Sequence, residues 1–152
     1  MADDWLDKTI NRIQQHKEDR KRTQDYELLR EQKIGRGEHK LFEDLQKELK
    51  TQVAALNERL SEKPLGIITS WKSVEITGPR EVSLDIQHDS DKHELDLSFY
   101  VASSHPQIDE LVKIDLNESE EVCFKWQGSC IGAIKLAHAL LDLVIDHSLL
   151  KS

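Results

Sequence analysis

The stretch Val82-Ser83-Leu84-Asp85-Ile86-Gln87, followed after a short polar link by Glu94-Leu95-Asp96-Leu97-Ser98-Phe99-Tyr100-Val101, alternates apolar and polar side chains without a break. Side chains along a strand point to opposite faces in turn. Val82, Leu84, Ile86, Leu95, Leu97, Phe99 and Val101 therefore share one apolar face, and their neighbours meet water. The link Asp89-Ser90-Asp91-Lys92 reads as a hairpin loop. Pairing His88 with His93 sets Leu84 opposite Leu97, Ile86 opposite Leu95, Val82 opposite Phe99 and Asp85 opposite Asp96.

The same period extends outward from this hairpin. Val112, Ile114 and Leu116, then Val122, Phe124 and Trp126, form two further strands joined through Glu118 to Glu121. On the N-terminal side, Leu65 to Thr77 reads as one strand whose apolar parity changes near Trp71, the mark of a bulge, and Gly78-Pro79 turns it. The expectation is an antiparallel meander of five strands.

The period becomes helical at both ends. From Ser129 to Leu149 the chain is apolar around most of a helix, leaving a narrow polar strip of Lys135, His138, Asp142 and Asp146, so this helix needs cover on two sides. Between Glu38 and Leu60, the residues Leu41, Leu45, Leu49, Val53, Leu56 and Leu60 fall on one stripe, widened by Phe42. That stripe suits an intramolecular core face and a self-associating, coiled-coil-like face equally. Ser61-Glu62-Lys63-Pro64 ends the helix.

An earlier helix starts at Asp4 as N-cap, with Trp5, Leu6, Ile10 and Ile13 on its apolar face. Gln14 to Asp25 holds no apolar residue; Tyr26, Leu28, Leu29 and Ile34 resume the pattern, and Gly35-Arg36-Gly37 is expected to break it. The fold expected is α+β, with a two-helix charged arm over residues 1–63 and a five-stranded antiparallel sheet with a C-terminal helix over residues 64–152.

Charge follows the same division. Residues 1–63 carry 14 acidic and 14 basic side chains, so the net charge of -8 lies entirely in residues 64–152. An acidic sheet repels phosphate backbones, which leaves any nucleic-acid contact to the run Lys17, Arg20, Lys21 and Arg22, diluted by Glu18 and Asp19. The longest apolar run, Ile131 to Leu150, is interrupted by charge and is not a membrane span, and with only Cys123 and Cys130 the chain fits a reducing, cytoplasmic setting.

Two constellations invite chemistry. Gly128-Ser129-Cys130-Ile131-Gly132 has the form of a nucleophile elbow between a strand and a helix, with His88, His93 or His105 as the base of a cysteine-dependent hydrolase. That elbow belongs to parallel sheets, and a turn with Ser129 as N-cap explains the residues as well. His88 and His93 flank Asp89 and Asp91, but the spacing matches no zinc or calcium signature. No catalytic residue, metal or cofactor is assigned. The functional expectation is a non-enzymatic protein-binding module, an adaptor, chaperone-like subunit or regulator. It would form a homodimer or higher oligomer through Leu41, Leu45, Leu49, Val53, Leu56 and Leu60, and meet a basic partner surface through Asp85 and Asp96.

Overall fold

A computed structural model describes residues 2–150. The chain divides into two compact units, Met1–Lys33 and Ile34–Ser152. Helix α1 runs unbroken over Ala2–Arg59 and so contributes to both.

The expected arm of two helices is corrected to one helix, and its start moves from Asp4 to Ala2. Gly35-Arg36-Gly37 does not interrupt it. The reason at Gly37 is space: a Cβ there would run into the Val122 side chain, so glycine lets the helix backbone approach the sheet. Helical hydrogen bonding continues through the glycines because the helix is anchored in the core on both sides of them, by Ile34 before and Phe42 after.

Seven antiparallel strands, not five, follow in sequence order: β1 (Gly66–Thr69), β2 (Ser73–Gly78), β3 (Val82–Asp89), β4 (Glu94–Val101), β5 (Ile108–Leu116), β6 (Val122–Trp126) and β7 (Ser129–Ile131). Both extra strands arise at tight turns. The parity change near Trp71 is a reversal rather than a bulge, closed by Ser70 N–H donating to Ser73 O at 2.9 Å, so Leu65 to Thr77 holds two strands. At the other end, Gln127 and Gly128 take φ of 53° and 83°, the pair of left-handed residues that a two-residue type I′ hairpin needs. Trp126 then faces Ser129 across that hairpin, and the segment expected to start a helix becomes an edge strand.

Helix α2 consequently spans Ala133–Ile145, shorter than the expected Ser129 to Leu149, and passes into a π-helical turn, Asp146–Leu150. Gly132 stands at its N-cap.

In the second unit, one sheet face is buried over its central strands. Val74, Ile76, Val82, Leu84, Ile86, Leu95, Leu97, Phe99, Val112, Ile114 and Phe124 join Phe42, Leu45, Leu49 and Val53 of α1 and Leu136, Ala137, Leu140, Leu141 and Val144 of α2 in one cluster. Two amphipathic helices share a single sheet face, which satisfies the cover that α2 requires without a partner chain. Polar ties hold the layers in register. Asn57 donates from Nδ2 to Leu65 O at 2.7 Å and accepts from Leu65 N–H at Oδ1, stitching the helix end to the start of the sheet. Among the described residues no helix is long and apolar enough to cross a membrane.

Candidate functional site

The residues expected to carry self-association lie in the molecule's own core. Leu45, Leu49 and Val53 are buried, Leu41 and Leu56 are partly buried and packed against that core, and only Leu60 is exposed. The stripe period is consistent with this placement, since a core face and a dimer seam share one spacing.

Exposed apolar side chains instead collect on the first half of α1. Every described side chain from Asp4 to Leu29 except Thr9 is exposed, including Trp5 at 69% and Tyr26 at 64%. Leu6, Ile10, Ile13 and Leu28 fall within about 60° of one another at 3.6 residues per turn, so they form one face. Lys17, Arg20, Lys21 and Arg22 are exposed along the same stretch. Local bonds there are weak ones between neighbours on the helix, such as Lys8 with Asp4 at 3.6 Å and Gln15 with Asp19 at 3.1 Å.

Asp85 and Asp96 do not face each other, because the hairpin register differs by two residues from the expected one. Asp85 lies opposite Ser98 and Gln87 opposite Asp96, while Leu84 meets Phe99 and Ile86 meets Leu97. Two features set this register. Asp89 Oδ1 accepts from the N–H groups of Asp91 and Lys92, capping the turn, and His93 takes φ of 53°, which makes a four-residue loop from Ser90 to His93. A shift of two leaves every side chain on its expected face. Both aspartates remain on the wet face among other carboxylates, with Asp85 paired to Glu75 across β2. Burial first, and then Glu75, raises the Asp85 pKa; burial first, and then Asp109 and Glu94, raises that of Asp96.

One polar cluster is buried, and the sequence spacing gave no sign of it. Glu38 of α1 is 4% exposed and bridges two histidines of the β3–β4 hairpin, with Oε2 3.1 Å from His88 Nε2 and Oε1 2.7 Å from His93 Nδ1. A carboxylate can only accept, so the ring nitrogens facing it carry protons. The His88 ring also packs on Phe42, with centroids 4.9 Å apart. His88 and His93 flank the hairpin, as expected, but their shared partner lies fifty residues earlier, at Glu38. Among the described residues no group of three or more His, Cys, Asp or Glu side chains could hold a metal ion.

Cys130 sits exposed on edge strand β7 opposite Lys125, not on an elbow at a helix N-terminus, and Gly132 rather than Ser129 is the N-cap. Its neighbour Cys123 is buried, and burial first, then the hydrogen-bonding contact with Cys130, pushes that thiol up to about 12. Such a thiol is inert as a nucleophile.

A cleft opens where α2 leaves the sheet. It measures about 240 Å³ and is floored by Leu84, Leu97, Phe99 and Leu140, with Glu110, Asp142 and Asp146 lining it as well. Glu110 lies on β5 opposite Leu97, on the apolar side of the sheet, and its Oε2 accepts from Trp126 Nε1 at 2.8 Å. Compared with family models, with curated proteins and with solved structures, the chain finds no match.

Proposed function

We propose that this protein is a non-enzymatic interaction module that pairs with a second copy of itself through the first half of α1. The supporting observation is the exposed apolar face of Leu6, Ile10, Ile13 and Leu28, flanked by Trp5. A solvated helix gains little from its own hydrogen bonds, and most helical stability comes from packing an apolar face on something else. Residues 1–63 balance 14 acidic against 14 basic side chains, so two such helices meet without net repulsion and with opposite charges available to flank the seam. The core-buried stripe from Leu45 to Val53 is not available for this role. The wet sheet face around Asp85 and Asp96 offers a second surface, suited to a basic partner.

Sedimentation velocity of the full chain at about 10 µM tests the reading, a concentration at which a specific dimer is populated. The wild type sediments as a dimer or larger, and the double substitution Ile10→Lys with Ile13→Lys, placed where both side chains are already exposed, shifts it to monomer with an unchanged far-UV spectrum. A wild type that stays monomeric defeats the proposal.

A further inference from the structure

The cleft between α2 and the sheet is a different feature, with its own chemistry. Leu84, Phe99 and Leu140 at its base are core side chains, each 0% exposed, so the apolar surface open to this space of about 240 Å³ comes from the partly exposed Ile108, Trp126, Ala139 and Leu143. Space of that kind, walled by hydrocarbon, offers water few hydrogen bonds and gains by being filled with an apolar group. The wall also holds charge of one sign. Glu110, Asp142 and Asp146 line the cleft, and no Lys, Arg or His does so among the described residues.

All three carboxylates are exposed at the rim of the cleft. Asp142 and Asp146 lie four residues apart, so they stand one turn apart along one face of α2 and its continuation into the π-helical turn. Glu110 faces them from β5, held by the Trp126 indole N–H, and its carboxylate keeps acceptor capacity beyond that one bond. Carboxylates close to low-dielectric walls focus a negative potential into the opening, and the second unit already carries the protein's whole negative charge.

We propose that this cleft binds a small organic cation, an ammonium group carried on a compact aryl or alkyl body of about ten non-hydrogen atoms, a size matched to a pocket below the usual drug-sized range. The apolar body packs against the partly exposed Ile108, Ala139 and Leu143, above the buried Phe99 and Leu140. The ammonium stays at the rim, where Asp142, Asp146 and Glu110 accept its hydrogens, and the Trp126 indole packs beside it. An anion of the same shape meets three carboxylates and nothing to neutralise it. The ligand preference is thus set by sign as well as by shape.

The experiment uses this protein and three probes with the same phenylethyl body: 2-phenylethylammonium, the neutral 2-phenylethanol and the anionic 3-phenylpropanoate. The readout is the Trp126 indole N–H resonance, assigned by its disappearance in Trp126→Phe. The ammonium probe shifts it saturably with a dissociation constant between about 10 µM and 1 mM, while the anion leaves it unmoved. Asp142→Asn with Asp146→Asn weakens the ammonium about fivefold at low salt and leaves the neutral probe unchanged, the discount expected for rim charges. Ala139→Leu, which fills the cleft from α2, abolishes binding of both ammonium and alcohol, with the urea midpoint reporting that the variant is folded. Equal response to ammonium and carboxylate overturns the proposal, as does the absence of any saturable shift up to about 10 mM ammonium.

Discussion

Glu38 Oε1 and His93 Nδ1 are 2.7 Å apart, and this contact ties the first core turn of α1 to the tip of the β3–β4 hairpin. Glu38 is 4% exposed and its other oxygen meets His88, so the carboxylate has its hydrogen bonds satisfied inside the protein. Removing it leaves two buried or half-buried imidazoles facing an apolar void. Glu38→Ala is expected to cost about 3 kcal/mol in urea unfolding, and Glu38→Gln, which keeps one acceptor, about half of that. Loss of less than about 0.5 kcal/mol in the alanine variant, the range of an ordinary surface substitution, means the cluster contributes nothing.

Two glycines in α1 respond to alanine with opposite signs. Nothing lies within 4 Å of a Cβ built on Gly35, so Gly35→Ala gains about 0.5 to 1 kcal/mol from helix propensity. At Gly37 the same methyl clashes with Val122 Cγ2, and Gly37→Ala loses about 1 to 3 kcal/mol through overpacking. Gly37→Ala combined with Val122→Ala recovers part of the loss if that contact is the cause. Chemical denaturation of the four proteins decides the matter.

Asp85 and Asp96 each have a pKa raised above the ordinary 3.8. The folded state therefore holds these protons more tightly than the unfolded chain. Their stabilising contribution is present below about pH 4 and is lost as the pH rises through the raised folded values. At neutral pH both carboxylates cost stability, by an amount that partial exposure keeps to about a few tenths of a kcal/mol each. Asp85→Asn with Asp96→Asn should raise the urea midpoint at pH 7 and lose that advantage near the acid end of the window. A double variant less stable than wild type at pH 7 contradicts the sign. The same variant should weaken binding of a basic partner in a salt-dependent way.

The two thiols should separate cleanly in a labelling experiment. Cys130 is exposed, whereas Cys123 is buried with its thiol pushed up to about 12. An aromatic disulfide reagent at pH 8 therefore titrates one thiol in the native protein and both in denaturant. Cys130→Ser removes the fast phase and leaves stability within about 0.5 kcal/mol, as for other surface positions. Fast labelling of Cys123 in the native state would mean that β6 and β7 separate readily.

Alternation from Val82 to Val101 determined by itself that the protein holds an antiparallel sheet with one buried face, because a period of two has only one structural meaning. The stripe from Leu41 to Leu56 likewise announced a helix with a buried side. Three matters were decided only by tertiary contact. That Gly37 belongs inside a helix rather than at its end depends on Val122, eighty-five residues away, whose side chain occupies the space a Cβ would need. Strand number and hairpin register depend on turns at Trp71, His93 and Gln127, where non-glycine residues hold positive φ in two cases and a change of parity conceals a reversal in the third. The Glu38 cluster joins residues fifty and fifty-five positions apart, a separation that no local period encodes. Local patterns report which face of an element is apolar, since that follows from the chain's own geometry. Which other element covers that face is set by packing, where hydrophobic burial has no direction of its own.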